Sequence, residues 1–170
     1  MTVPSWDGIS EPGMREILRQ AEKYLDNSLK VAVAADQRAT TLMGIYGAVG
    51  VALLVSAATL GTRPEPDLSI IGAITVMAVF LLVAGLLCGL AGKPIDFYVS
   101  GYEPEKIVES STDQWWLLRY VCEDLQRRID VNKQILKKSS GFIFGSFAVA
   151  GSSVLVGIIV FVVFRIMSLS

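Results

Sequence analysis

The sequence contains no histidine. The side chain most often used as a general base and as a metal ligand near neutral pH is therefore missing. Cysteine is nearly absent, with only Cys88 and Cys122, so a paired-cysteine zinc motif is excluded. No glycine-rich loop leads into Lys-Ser or Lys-Thr, which removes the common phosphate cradle. Charge is sparse: 18% of residues carry it, where a soluble domain has about 25%. Neither sign dominates. The net charge is −1 and the isoelectric point about 5.5, which argues against a strongly basic nucleic-acid binder and against a charge-driven disordered chain. Glu123, Asp124 and Asp130 come nearest to a carboxylate cluster, and at helical spacing such a group is ordinarily a solvated face. We expect no enzyme, no metal and no cofactor.

Apolar residues fill the gap. They make up 52% of the chain, and the mean hydropathy is +0.53. Three runs without charge account for it: residues 39–62, 68–92 and 139–164, of 24, 25 and 26 residues. A bilayer core of about 30 Å needs roughly 20 apolar residues in a helix, so each run is long enough to cross. β-barrel strands are shorter and alternate, unlike these runs. The first run follows 38 mostly polar residues, which rules out a signal peptide's apolar core.

Lysine and arginine set the expected orientation. Residues 1–38 hold five (Arg15, Arg19, Lys23, Lys30 and Arg38), and residues 93–138 hold eight. Only Arg63 and Arg165 lie elsewhere. The positive-inside tendency then places both basic segments in the cytoplasm and the C-terminus outside. Cys88 and Cys122 fall in a span and in a cytoplasmic segment, so no disulfide between them is expected.

Both cytoplasmic segments read as amphipathic helices. Ser10 before Glu11–Pro12 is a helix start. The stripe Met14, Ile17, Leu18, Ala21, Tyr24, Leu25, Leu29, Ala32 and Ala35 follows at helical spacing. Ser111–Thr112–Asp113 offers a second cap. Beyond it run Leu117, Leu118, Val121, Cys122, Leu125, Ile129, Asn132, Ile135 and Leu136. No proline or glycine interrupts either stripe before its span, so both helices should continue into the membrane. Leu18 lies roughly 32 Å of helix before the first span and Trp116 roughly 35 Å before the third. Equal heights predict a tip cluster of Met14, Ile17, Leu18, Trp115 and Trp116. The expected architecture is all-α, with three transmembrane helices. The first and third would be continuous with an antiparallel cytoplasmic helical stalk. The segments are 1–38 and 93–138 in the cytoplasm, with 39–92 and 139–170 in the membrane and the outer tail. The two cytoplasmic segments together are too small for an independent core, so a homo-oligomer is expected.

Basic residues gather at the base of this stalk: Arg127, Arg128, Lys133, Lys137 and Lys138, with Arg119, Lys30 and Arg38 placed to join them. Two readings stand side by side. One is a positive belt touching anionic lipid of the bilayer. The other is a site for an anionic ligand such as a nucleotide or oligonucleotide, shared between subunits. Trp6, Trp115 and Trp116 would stack on bases or pack at the tip. The spans hold no ionisable residue, which argues against proton- or ion-coupled transport. They carry small residues at contact spacing: Gly44, Gly47 and Gly50; Gly85 and Gly89; Gly141 and Gly145. A pore lined by Thr40, Thr41, Ser56, Thr59, Thr75 or Ser152 would be weakly polar and poorly selective.

The layout, with Ala35–Asp36–Gln37–Arg38–Ala39 leading into the first span and Asn132 through Lys138 before the last, resembles small membrane effectors of bacterial anti-phage defence. These include SLATT-type effectors, Pycsar-like membrane effectors and the channel subunit of the Hailong system. The resemblance implies an oligomer that permeabilises the inner membrane when a nucleotide signal changes, and a nucleotidyltransferase encoded alongside. Relatives often carry a fused nucleotide-sensing domain. None is found in this sequence, which moves sensing to the stalk. A gated channel is thus the expected function, and a non-conducting scaffold that recruits cytoplasmic partners is the alternative.

Overall fold

The computed structural model describes residues 8–93, 97–101 and 114–168, and every regular element among them is helical. Helix α1 is Glu11–Gly61, 51 residues. Helix α2 is Leu68–Ala91, 24 residues. Helix α3 is Gln114–Met167, 54 residues. All three are long and apolar enough to cross a membrane. Trp6 and the cap Ser111–Thr112–Asp113 lie outside the described residues.

Local chemistry explains the helix ends. Ser10 caps α1: its hydroxyl accepts from the Gly13 N–H at 3.4 Å and its carbonyl from the Met14 N–H at 3.0 Å. Glu11 in the first turn complements the helix dipole. Pro64 and Pro66 keep the short link extended before α2. Asp67 then caps α2, its carboxylate accepting from Ser69 N–H at 3.0 Å and Ile70 N–H at 3.3 Å. Gly92 closes the other end by donating its N–H to the Cys88 carbonyl at 3.0 Å.

The chain divides into two compact units, Met1–Val33 with Ile95–Leu136 and Ala34–Pro94 with Lys137–Ser170. In the first, α1 and α3 meet along the two apolar stripes. Met14 and Cys122 are buried against each other, with Ile9, Ile17 and Leu18 around them. Leu25, Leu125 and Ile129 form a second cluster, joined by Leu18, Ala21 and Val121. These contacts advance together along both helices, so the pair is parallel. The expected antiparallel arrangement is corrected.

Met14 is buried against Cys122, with Ile9, Ile17 and Leu18 packed around them. Trp115 and Trp116 remain 38% and 48% exposed. Cys122 lies six residues past Trp116, roughly 9 Å farther along the helix.

In the second unit α2 runs antiparallel to both neighbours. On its α1 side, Gly50 meets Leu82 and Gly89 meets the Met43 sulfur, each 3.0 Å from where a Cβ would stand. On its α3 side, the Cys88 thiol donates to the Ser146 hydroxyl at 3.1 Å, and Ser139 donates to the Ala91 carbonyl at 3.0 Å. Large apolar side chains such as Ile45, Val55, Phe144, Leu155 and Ile159 are exposed outward. This is the surface lipid would cover.

Candidate ligand-binding face of the helix pair

The basic residues divide between the units. Lys30, Arg119, Arg127, Arg128 and Lys133 belong to the first, and Arg38, Lys137 and Lys138 to the second. Within the first unit, most of these cations already have partners. Asp124, three and four residues before Arg127 and Arg128, receives both guanidinium groups. Arg127 reaches one carboxylate oxygen at 2.6 Å and Arg128 the other at 2.7 Å. The hydrogen bond it donates to Asp124 pushes the Arg127 pKa up further still. Arg119 pairs with Glu123 at 3.0 Å, and Gln126 donates to Asp130 at 3.2 Å. Each carboxylate of the Glu123, Asp124 and Asp130 group thus serves a local pair.

The two central arginines differ. Arg127 is 75% exposed in its side chain and faces solvent, while Arg128 is only 20% exposed. Arg128 turns inward and donates to the carbonyls of Val99 at 3.4 Å and Gly101 at 3.3 Å. Its guanidinium also lies 5.8 Å from the Tyr98 ring centroid, a cation–π distance. Lys133 sits 5.3 Å from the ring centroid of Tyr24. Lys30, Arg38, Lys137 and Lys138 are exposed and make no ion pair among the described residues.

A contact that sequence reasoning missed lies beside Arg128. Asn132 is 1% exposed on the apolar stripe of α3. Its side-chain oxygen accepts from the Tyr98 N–H at 3.1 Å, and its side-chain nitrogen donates to the Tyr98 carbonyl at 2.9 Å. A polar residue in the middle of an apolar stripe was the available signal. Its partner lies 34 residues away in an irregular segment, which periodicity cannot reach. Trp116 stacks on Tyr120 with ring centroids 5.5 Å apart, and both rings are partly exposed.

Burial pushes the Cys122 thiol pKa up, and Glu123 adds to it. The thiol stays protonated and unreactive at neutral pH. No group of three or more metal-ligating side chains occurs among the described residues.

The span residues sort into two kinds. Gly50, Gly85 and Gly89 contact a neighbouring helix, and Gly145 comes within 4.0 Å of Leu87. Nothing lies within 4 Å of a Cβ at Gly44, Gly47 or Gly141. The hydroxyls of Thr40, Thr41, Ser56, Thr59, Thr75 and Ser152 all donate to carbonyls on their own helix, at 2.8 to 2.9 Å. Such bonds satisfy a hydroxyl in lipid while leaving its oxygen able to accept. Comparison with protein-family models, curated proteins and solved structures returns no match.

Proposed function

We propose that the protein is an oligomeric gated membrane channel, or pore-forming effector, controlled through its cytoplasmic helix pair. The observation that supports this most directly is helix continuity. α1 and α3 each carry a polar, amphipathic half and an apolar half without a break. A change in the pairing of the first halves is then a rotation or shift of the second halves. Spans without ionisable residues suit a poorly selective path. The open positions Gly44, Gly47 and Gly141 suit close approach by other copies. In this reading the N-terminal halves of α1 and α3 face the cytoplasm and the C-terminus of the chain lies outside.

The controlling ligand is an anion. Arg127, with Lys30 and Lys133 of the same unit, supplies the outward charge, and Trp116 on Tyr120 supplies a ring on which a base could stack. The resemblance to anti-phage effectors supports a nucleotide or oligonucleotide made by a partner nucleotidyltransferase, with depolarisation arresting or killing the cell. The partly exposed Trp116–Tyr120 stack also favours a second reading, a non-conducting scaffold that docks a cytoplasmic protein there.

Membrane potential separates the two. A voltage-sensitive dye should report depolarisation when the protein is induced in cells, with a dependence on the partner gene. A steady potential under every partner condition would overturn the channel reading and leave the scaffold.

A further inference from the structure

Residues 97–101 form no helix, yet polar groups from both helices hold them. Asn132 of α3 accepts from the Tyr98 N–H at 3.1 Å and donates to the Tyr98 carbonyl at 2.9 Å. That is the pairing a neighbouring strand would offer one residue. Arg128 of α3 donates to the next carbonyls, those of Val99 and Gly101. The Ser100 hydroxyl donates to the Asp26 carboxylate of α1. Gly101 ends the segment at a φ of +103°, a conformation that favours glycine. One short segment therefore ties α3 to α1.

The tie is polar. Tyr98 and Val99 are 45% and 52% exposed and Phe97 is half-buried, so no fully buried apolar side chain secures the segment. Elements held this way open at lower free energy than packed helices. Asn132 gives the opening a consequence. It is 1% exposed on the stripe that carries Leu125 and Ile129, and without Tyr98 its amide would lose both hydrogen-bond partners. Water must then enter the pair to satisfy it.

We infer that residues 97–101 are a detachable latch on the α1–α3 pair. In place, they satisfy Asn132 and hold the helices together. Released, they let water reach Asn132 and the pair loosens. As the regulated element of the channel, the latch rests on the function proposed above.

Cys122 provides a native probe, being 2% exposed against Met14. The full chain, carrying Cys88→Ala so that Cys122 is its only thiol, is reconstituted in vesicles and labelled with a water-soluble maleimide. Ser100→Ala and Asp26→Ala each remove the tie to α1 and leave the Asn132 amide in place. Labelling should rise severalfold in both. Asn132→Leu has no amide for water to satisfy, so Ser100→Ala made in the Asn132→Leu background should show no such rise. Unchanged or slower labelling in Ser100→Ala and Asp26→Ala overturns the latch, and so does an equal rise in the Asn132→Leu background. Ion leak from the same vesicles should shift with labelling. Faster labelling at unaltered leak overturns the regulatory role. If no variant conducts, the channel reading fails, while labelling still decides the latch.

Discussion

The Cys122 thiol donates to the Met14 carbonyl at 3.9 Å, and Leu25 packs on Leu125 and Ile129 farther along both helices. The two contacts together set α1 and α3 running the same way. Cross-linking reads this directly. With Cys88 replaced by alanine, Met14→Cys should form a disulfide with Cys122 on mild oxidation, and Leu25→Cys should do so with Ile129→Cys. An antiparallel pair would join Met14→Cys to a cysteine at Ile135 instead, and that product would refute the assignment.

Two buried leucines carry much of the pair. Leu25 and Leu125 are each 0% exposed. Truncating either to alanine removes buried methyl groups and leaves a cavity, at a cost of about 2–5 kcal/mol. In so small a core that is enough to separate the helices, seen as lost helicity or fast labelling of Cys122. Trp116→Ala should cost under about 1 kcal/mol, since Trp116 is 48% exposed and its stacking partner Tyr120 lies on the same helix. Equal losses from Trp116→Ala and Leu25→Ala would mean that the pair is built around the tryptophans after all.

Periodicity made much of this legible. Ser10 as the cap, the stripe through Met14 and Leu25, and the stripe through Cys122, Leu125 and Ile129 all follow from 3.6-residue spacing and capping chemistry. The three apolar runs follow from their length. Direction and level of the helix pair are long-range facts, and a stripe does not say which residue of the other stripe it meets. Asp124 lies just upstream of the arginines, and its three- and four-residue spacing to them is a local pairing signal. Arg128 is harder, because its carbonyl partners at Val99 and Gly101 are backbone atoms with no sequence signature.

Small residues in the spans divide into used and open ones, and alanine substitution separates them. A Cβ at Gly157 would stand 2.5 Å from Met77 Cγ. Gly157→Ala should therefore push α2 and α3 apart at a cost of about 1–3 kcal/mol. At Gly151 nothing lies within 4 Å, so Gly151→Ala should leave the fold of one chain unchanged. Resistance to denaturant in detergent compares the two. Equal resistance would show that α2 and α3 do not pack through Gly157.

Charge reversal distinguishes the two central arginines. Arg127 is 75% exposed in its side chain, so Arg127→Glu should weaken binding of an anionic nucleotide or lipid about tenfold and leave the helix pair intact. Arg128→Glu should instead loosen the pair, because its donors to Val99 and Gly101 are lost. Flotation with anionic vesicles and Cys122 labelling, measured on both variants, resolve the roles. Loosening by Arg127→Glu with none by Arg128→Glu would reverse the assignment.

Glu16 predicts a response to acid. Hydrogen bonds from Arg19 first, and then from Gln20, hold its carboxyl at about 2, against an ordinary 4.5. A carboxylate with a depressed value stabilises the fold fully above its unfolded value and loses that contribution as pH falls through the folded one. The contribution is therefore present above pH 4.5 and disappears between about 4.5 and 2. The group is fully exposed, so salt screens the pair and the effect is small and confined to the first turns of α1. Amide resonances of residues 13–20 should show fraying over that window at low salt. The change should flatten in Glu16→Gln and at high ionic strength. Fraying of equal size in Glu16→Gln would assign the transition to another carboxylate.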